Sequence, residues 1–262
     1  MGRLVAYIGP ETNIASAVEG GSYSLVRQAE ECHDGFAVAW YPPDDAAEPV
    51  RIRSRSSIRA DGHLLEVPRR YASRTVLAGV RQLTSGVPSE LSGVQPLHYG
   101  SYLFAQEGTL ERFDEIFARP LLAGLSDEHF AALKGRSAGE VLFACWLDSL
   151  NGTGPDAMAT ALESVVGRVQ EIATEKDVPA SLALVATDGT CLLAVRTATH
   201  GPPPPLYTTV ADDRAPVPPS GRLVASEPTF PGSWQSIDAH ALMIFTVESG
   251  SEATTEAVEA PM

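Results

Sequence analysis

Apolar residues in the first part of the chain fall into short runs, and each run is closed by turn-forming residues. The run that ends at Ile8 is followed by Gly9 and Pro10, and the run that ends at Tyr41 is followed by two prolines. Runs of this length between such residues are typical of buried strands. Strands are therefore predicted over 4–8, 36–41, 75–81 and 101–105.

Helical spacing dominates the middle of the chain. Ser137 and Glu140 stand three residues apart ahead of an apolar stretch, which is the spacing of a capping box. After Pro155, apolar residues recur at helical spacing as far as Ile172, so a long amphipathic helix is predicted there. The other helices are predicted over 22–30, 109–117, 126–133 and 137–150.

Strands return in the last third of the chain. Asp188 and Gly189 separate two strand-like runs, and this residue pair is typical of a hairpin turn. The strands are predicted over 181–187, 190–197, 222–225 and 241–247. Because strands come first, helices follow and strands return, the order predicts two antiparallel sheets with helices outside them. The residues from 249 to 262 lack aromatic side chains and are rich in small polar and acidic ones, which predicts a disordered acidic tail.

Composition narrows the possible partners. The chain has 262 residues, and its 33 acidic and 19 basic side chains give a net charge of −14. An acidic excess argues against binding to nucleic acid or to an anionic membrane, since both require a surplus of lysine and arginine. No apolar run approaches the roughly 20 residues that span a bilayer, and no signal-peptide pattern opens the chain. We therefore expect a cytoplasmic protein that does not bind membranes.

A basic stretch interrupts this acidic chain. Basic residues alternate with others over 50–55, which predicts a strand with a solvated basic face. The alternative is that the stretch forms a docking surface for an acidic protein. Its members are Arg51, Arg53, Arg55, Arg59, Arg69, Arg70 and Arg74.

Cysteine and histidine offer little catalytic chemistry by their spacing. Cys32, His33 and Asp34 are neighbours, and neighbouring side chains on an extended segment point to opposite faces, so they do not converge as a triad. Cys32 as a relocated nucleophile remains an alternative. The six histidines form no helical i, i+4 pair and the three cysteines match no zinc spacing, so we expect no metal site and no cofactor.

Several segments, in the same order, resemble the class II glutamine amidotransferases, which are Ntn-hydrolases. Met1-Gly2-Arg3, leading into a strand, resembles the family's Met-Cys-Arg opening, and Phe104 to Gly108 resembles its Phe-x-His-Asn-Gly turn. The resembling segments are 1–9, 32–37, 78–86, 93–97, 104–108, 137–143 and 225–228. Among family members, the chain most resembles the stand-alone branch that includes the γ-glutamyl hydrolase of the ergothioneine pathway.

This resemblance implies the fold and the domain organisation. The family has an α+β fold, a four-layer αββα sandwich in which two antiparallel sheets are flanked by helices. We expect residues 1–248 to form one amidotransferase-like domain, followed by the disordered tail over 249–262.

The resemblance also shows which family chemistry is missing. The family's nucleophile is the cysteine after Met1, and this chain has Gly2, which has no nucleophilic side chain. The oxyanion hole of the family uses the asparagine side chain and the glycine backbone of its Asn-Gly turn. Gly108 keeps the backbone donor, whereas Glu107 replaces the amide with what we expect to be an anion, which would repel the tetrahedral intermediate.

By the same comparison, this chain keeps one of the two charged residues with which the family binds its substrate. Arg81 stands where the family's carboxylate-binding arginine stands, with Thr84 shortly after it, but Ala138 replaces the aspartate that binds the substrate ammonium. Gln95 and Gln106 stand where the family usually has histidine. Arg81 binds an anionic ligand in one interpretation and forms a structural salt bridge, for example to Glu107, in the other.

These losses predict a pseudoenzyme, a catalytically inactive amidotransferase-like protein that acts as a binding, scaffold or regulatory subunit. We expect a protein partner, such as an active enzyme of the same pathway, and a small carboxylate ligand held by Arg81. The ligand-contacting positions are Arg81, Thr84, Glu107 and Gly108. The alternative is a hydrolase of an amide or γ-glutamyl bond, in which Glu107 serves as general base in a rebuilt pocket.

Overall fold

The computed structural model describes residues 2–29, 34–43, 48–58, 62–81, 90–247 and 253–259. Helices span Ile14–Glu19 (α1), Leu25–Gln28 (α2), Phe113–Ile116 (α3), Ala118–Leu122 (α4), Asp127–Ala132 (α5), Ala138–Ser149 (α6) and Pro155–Lys176 (α7), with 3₁₀ turns at Gly62–Leu65 and Pro68–Arg70. The first strands are Arg3–Asn13 (β1), Gly35–Trp40 (β2), Val50–Ser54 (β3), Ala72–Arg81 (β4), Leu97–Tyr99 (β5) and Tyr102–Leu110 (β6). The later strands are Ala180–Thr187 (β7), Cys191–Ala198 (β8), Tyr207–Val210 (β9), Arg222–Ala225 (β10), Gln235–Ser236 (β11), Ala241–Val247 (β12) and Ala253–Glu259 (β13).

The strands form two antiparallel sheets. Within the described ranges, the first sheet has the order β11-β9-β10-β1-β4-β2-β3 and the second has the order β13-β12-β8-β7-β6-β5. β1 lies in the middle of the first sheet, where Val5 is paired with Ala78 of β4 on one side and with Ala225 of β10 on the other. The N-terminal segment is therefore held by hydrogen bonds to two strands that are distant in sequence.

Alternating side chains build the four layers. Leu4 and Ala6 of β1 face the second sheet, where they join a core that includes Val185 and Phe245. The intervening residues, such as Val5, face the other way and pack against α1 and α2. Helices α6 and α7 cover the outer face of the second sheet through residues such as Trp146 and Leu162. The predicted αββα sandwich of two antiparallel sheets flanked by helices is confirmed.

The elements that were predicted most accurately are those that depend on residues close together in sequence. The Ser137 side chain accepts a hydrogen bond from the Glu140 amide at the start of α6. The Glu140 side chain in turn accepts one from the Ser137 amide, so the predicted capping box is formed. In the β7–β8 hairpin, the Asp188 carboxylate accepts hydrogen bonds from the Thr190 and Cys191 amides. Gly189 adopts a φ of 91°, which favours glycine.

Two predicted elements differ from the structure. The helix predicted over 109–117 begins only at Phe113, because Thr109 and Leu110 continue β6 by pairing with Ser181 and Ala180. Backbone pairing with β7 therefore overrides the local helical pattern. In the predicted disordered tail, residues 253–259 instead form β13, which pairs along the whole of β12. Pairing with an open sheet edge supplies the hydrogen bonds that composition alone does not reveal.

The basic stretch is not the uniformly solvated face that was predicted. Arg51 and Arg53 are half-buried, whereas Arg55 is exposed. Arg51 donates a hydrogen bond to the Pro96 carbonyl and Arg53 donates one to the Leu91 carbonyl, so the segment before β5 covers both side chains. Arg69 pairs with Glu19, Arg70 and Arg74 are exposed, and Arg59 lies outside the described residues. No helix within the described residues is both long and apolar enough to cross a membrane.

Candidate active site around Gly2

The fold brings Gly2, Arg81 and Glu107 together. Gly2 immediately precedes β1, and the pairing of Arg3 with Val80 places it beside the end of β4. A Cβ atom built on Gly2 would lie 3.8 Å from Arg81 Cα and 3.8 Å from Glu107 Oε1. The same Cβ would lie only 2.7 Å from the Val80 carbonyl oxygen. The backbone at position 2 is therefore packed more closely than a residue with a side chain allows without a shift.

Glu107 is fixed by a serine that the sequence analysis did not single out. Ser226 Oγ donates a hydrogen bond to Glu107 Oε1 over 2.9 Å and accepts one from the Leu4 amide over 2.8 Å. Ser226 is buried and directly follows β10, so the pairing of β10 with β1 carries it to the site. Its neighbour in sequence, Glu227, forms an ion pair with Arg3. The signal for this contact was the segment 225–228, which resembles a family strand.

Burial changes the ionisation of Glu107. Burial raises the pKa of this carboxyl to about 8, against the opposing effects of the Ser226 hydrogen bond and the Arg3 charge. This raised pKa favours the protonated acid at neutral pH, whereas the sequence analysis expects an anion at this position. A neutral carboxylic acid donates one hydrogen bond and accepts others, so Glu107 presents a different group to the site than a carboxylate would.

The backbone at residue 108 has a conformation that favours glycine. Its φ is 94°, in the region that favours glycine. A Cβ at this position would overlap the Ser181 carbonyl oxygen and lie 2.9 Å from Pro204 Cγ. The Gly108 carbonyl accepts a hydrogen bond from the Gln106 side chain over 3.2 Å. The course of β6 at Gly108 therefore requires a residue without a side chain.

Two glutamines close the wall of the site toward α6. The Gln106 amide donates to Gln95 Oε1. The Gln95 side-chain nitrogen lies 2.6 Å from where a Cβ on Gly139 would be, so α6 begins in direct contact with this glutamine. Ala138 is the first residue of that helix and has no polar side-chain atom to accept an ammonium group. The side chains here hold the loop to the helix.

Arg81 lies against α6 rather than against Glu107. Its Nη1 atom lies 2.8 Å from the position of a Cβ built on Gly93, and that same position is 3.4 Å from Ser137 Oγ. Burial lowers the pKa of Arg81, whereas the charges of Glu140 and Asp34 raise it. Among the described residues, no carboxylate forms an ion pair with Arg81 within 4 Å, so the structural salt bridge to Glu107 is not formed.

Glu140 is the acidic residue whose charge raises the pKa of Arg81 most strongly. The Glu140 side chain is buried, and its Oε2 accepts hydrogen bonds from the Ser137 amide and hydroxyl over 3.2 Å and 2.8 Å. The capping box predicted this residue's role in the helix but gave no sign of its proximity to Arg81. The guanidinium thus keeps donors available for a ligand while its charge is partly balanced.

The remaining candidate groups contribute no catalytic arrangement that the structure describes. Thr84, Cys32 and His33 lie outside the described residues. Cys145 and Cys191 are buried, and burial raises the pKa of the Cys145 thiol to about 11, which disfavours the reactive thiolate. Within the described ranges, no three histidine, cysteine, aspartate or glutamate residues are grouped to hold a metal ion.

The arrangement can bind an anion at Arg81 and can exchange a proton at Glu107. The residue at the family's nucleophile position has no side chain. Glu107 therefore lies beside the position next to Gly2 that has no side chain, and Gly108 follows it in strand β6 with a φ of 94°. Covalent catalysis of the family type has no attacking atom at position 2.

The fold is that of the class II glutamine amidotransferases. A glutamine aminotransferase class-II domain protein from Silicibacter pomeroyi superposes with a TM-score of 0.73, and the match covers 99% of this chain and 100% of that one at 20% identity. At this identity the likeness establishes the fold alone. No family model matches the chain.

Curated relatives extend the likeness to sequence. The chain is 32% identical over 126 residues to the probable glutamine amidotransferase DUG3 of Saccharomyces cerevisiae, which covers 47% of this chain and 35% of that protein. It is 31% identical over 162 residues to the gamma-glutamyl-hercynylcysteine sulfoxide hydrolase of Mycobacterium tuberculosis, which covers 58% of this chain and 65% of that one. These matches span between 35% and 65% of the relatives' own lengths. The resemblance to class II glutamine amidotransferases is confirmed.

Proposed function

We propose that this chain is a catalytically inactive glutamine amidotransferase-like protein that works by binding. The observation that carries the proposal is the state of position 2. Gly2 supplies no attacking atom, its backbone is packed against the Val80 carbonyl, and Glu107 faces the place where a nucleophile would stand. A site that has neither the nucleophile nor the space for it cannot form the thioester on which the family's reaction depends.

The ligand we propose is a small carboxylate held by Arg81. The arginine is half-buried and forms no ion pair within 4 Å with any described residue, so its guanidinium retains donors for a carboxylate. Because Ala138 offers no acceptor for an ammonium group, the site favours a carboxylate that carries no adjacent amine. We propose that ligand occupancy regulates a protein partner, such as an active enzyme of the same pathway.

The test follows binding and hydrolysis in the same sample. Glutaramate, which is glutamine without its α-amino group, is titrated into the protein while nuclear magnetic resonance records both ligand binding and glutarate formation. We expect saturable binding without glutarate. Arg81→Gln should weaken binding about tenfold or more, since it removes a charge-assisted hydrogen bond.

Arg74→Gln is the matched control, because Arg74 lies on the same strand but is exposed. It should leave the affinity unchanged. Equal affinities of the Arg81→Gln variant and the unmodified protein would remove the ligand part of the proposal. Glutarate formation by the unmodified protein would remove the pseudoenzyme part.

A second candidate function is hydrolysis of an amide or γ-glutamyl bond with Glu107 as general base. Burial raises the pKa of Glu107 to about 8, which is suited to proton transfer near neutral pH. One of the relatives described above is also a hydrolase. In this case turnover should rise as the pH passes through about 8, because the base must be deprotonated, and Glu107→Gln should abolish it.

A further inference from the structure

A cavity that does not include the residues around Gly2 is lined in part by Glu140. It has a volume of about 200 Å³ and is formed where the edge strand β3, strand β5 and helix α6 meet. Three cationic side chains line it, those of Arg51, Arg53 and Lys134. Three basic groups around one cavity are unexpected in a chain whose net charge is −14.

The two arginines reach this cavity because of strand periodicity. Arg51 and Arg53 are two residues apart on β3 and therefore share one face, which looks toward the second sheet. Each uses one guanidinium hydrogen bond to a backbone carbonyl, of Pro96 and Leu91 respectively. A guanidinium has five N–H donors, so each arginine keeps several for a ligand.

The positive charge of the cavity is not neutralised by its surroundings. Among the described residues, no carboxylate forms an ion pair within 4 Å with Arg51, Arg53 or Lys134. Burial, and after it the neighbouring charge of Arg53, lower the pKa of Arg51 to about 10, so Arg51 remains charged at neutral pH and is repelled by Arg53. A bound anion would relieve this repulsion.

The acidic groups around the cavity are each engaged elsewhere. Glu140 contributes to the lining, but its carboxylate accepts from Ser137. His129 also lines the cavity and contacts Asp148 over 2.9 Å. On the rim, Tyr99 donates its hydroxyl proton to Glu128, and His98 contacts the Gly100 carbonyl. None of these contacts directs a carboxylate at the arginines.

The opposite wall of the cavity is apolar. Leu97, Phe143 and Leu147 line it and belong to the core under α6. An apolar cavity of about 150 Å³ accommodates benzene, so the present volume suits a ligand of about ten non-hydrogen atoms. Such a ligand needs an anionic head for the arginines and an apolar body for the leucine and phenylalanine side chains.

We propose that this cavity binds a small organic carboxylate with an apolar body, with the carboxylate on Arg51 and Arg53 and the body against Phe143 and Leu147. Lys134 supplies a further cation beside the head group. The residues that line this cavity do not include Gly2, Arg81 or Glu107.

Isothermal titration calorimetry with benzoate tests this site on the full chain. Benzoate has nine non-hydrogen atoms, and we expect a dissociation constant below about 1 mM. Benzyl alcohol, which has the same ring without the charge, and inorganic phosphate, which has charge without an apolar body, should each bind at least about tenfold more weakly. Absence of saturable benzoate binding, or equal binding of either comparison molecule, would overturn the proposal.

Single substitutions show which side chains bind benzoate. Arg53→Gln and Lys134→Gln should each weaken benzoate binding by about tenfold, and neither residue belongs to the buried core. Arg55→Gln is the matched control, since Arg55 continues the same basic stretch but does not line the cavity. Equal losses in Arg53→Gln and Arg55→Gln would contradict the assignment.

Discussion

The site around Gly2 and Arg81 and the cavity at Arg51 and Arg53 differ in how their positive charges are balanced. Around Gly2, a buried carboxyl group stands next to a position without a side chain, and the nearby cation, Arg81, is balanced by Glu140 and Asp34. Around β3, Arg51 and Arg53 face a cavity whose acidic neighbours are engaged elsewhere. The first pocket lies in the family's fold but has no side chain at the family's nucleophile position. The second has a charge pattern that fits a ligand and that no family motif predicts.

The largest effect should come from restoring the missing groups in the first pocket. Gly2→Cys alone should remain inactive, because the oxyanion donor and the ammonium acceptor are still absent. Adding Glu107→Asn and Ala138→Asp should raise glutaminase activity at least about 1000-fold over the single variant, since one oxyanion donor alone contributes about 10²–10³. Glutamate release from glutamine measures the difference.

The three-residue variant must first be shown to fold, because a side chain at position 2 meets the Val80 carbonyl. Urea unfolding provides that check. If Gly2→Cys alone equals the triple variant in activity, the view that three separate losses define this pocket is wrong.

The next effect concerns how Glu107 makes the stability of the folded protein depend on pH. Its pKa is raised on folding from 4.5 to about 8, so the folded chain holds the proton more tightly and loses stability as the pH rises through this window. Glu107→Gln removes the titration and should gain about 4 kcal/mol of stability over the unmodified protein between pH 5 and pH 9, since each pKa unit corresponds to about 1.4 kcal/mol. At pH 5 the two should differ little. Urea unfolding at both pH values measures this.

Glu111→Gln is a suitable comparison for this experiment, because Glu111 directly follows β6 but is exposed. Its stability profile should run parallel to that of the unmodified protein. If Glu107→Gln also runs parallel from pH 5 to pH 9, the carboxyl is ionised in the folded chain and the pocket carries a negative charge.

A smaller effect should appear in ligand preference at Arg81. The unmodified protein should bind glutaramate at least as tightly as glutamine, because Ala138 offers nothing to the ammonium group. Ala138→Asp should shift the preference about tenfold toward glutamine, in line with one charge-assisted hydrogen bond. Competition titrations give the ratio of the glutaramate and glutamine affinities directly. An unchanged ratio in the variant would show that the amine of glutamine does not bind at residue 138.

The smallest effect tests the wall that the two pockets share. Ser137→Ala removes the cap of α6 and should cost about 1 kcal/mol of unfolding free energy. It also frees Glu140, so glutaramate affinity at Arg81 should change as well. Ser126→Ala, at the N-terminus of α5, should cost a similar amount without this change. Equal ligand affinities in both variants would show that Glu140 does not couple to Arg81.

Sequence signals predicted the frame of the first pocket better than its electrostatics. The capping box, the Asp188-Gly189 hairpin and strand β1 depend on neighbouring residues, and each was predicted. The contact between Glu107 and Ser226 joins residues 119 positions apart, and the pairing of β10 with β1 creates it. The raised pKa of Glu107 results from desolvation in the folded chain, which no local sequence pattern predicts.

The second pocket could not be predicted either, because it also depends on contacts between residues that are distant in sequence. Alternation over 50–55 predicted a strand but also predicted that its arginines would be solvated. The segment that precedes β5 lies 38 or more residues further along the chain and covers Arg51 and Arg53 through its carbonyls. Strand β13 is a similar case, since its order depends on the open edge of β12. Long-range pairing decides all of these features.

The most direct test of the central claim is turnover by the unmodified protein. Ammonia and glutamate release should be measured with glutamine and with a γ-glutamyl amide from pH 6 to pH 10, beside Glu107→Gln. The account predicts no release above buffer at any pH in either protein. Release that rises through about pH 8 and disappears in Glu107→Gln would contradict it and would establish Glu107 as the base of a thiol-free hydrolase.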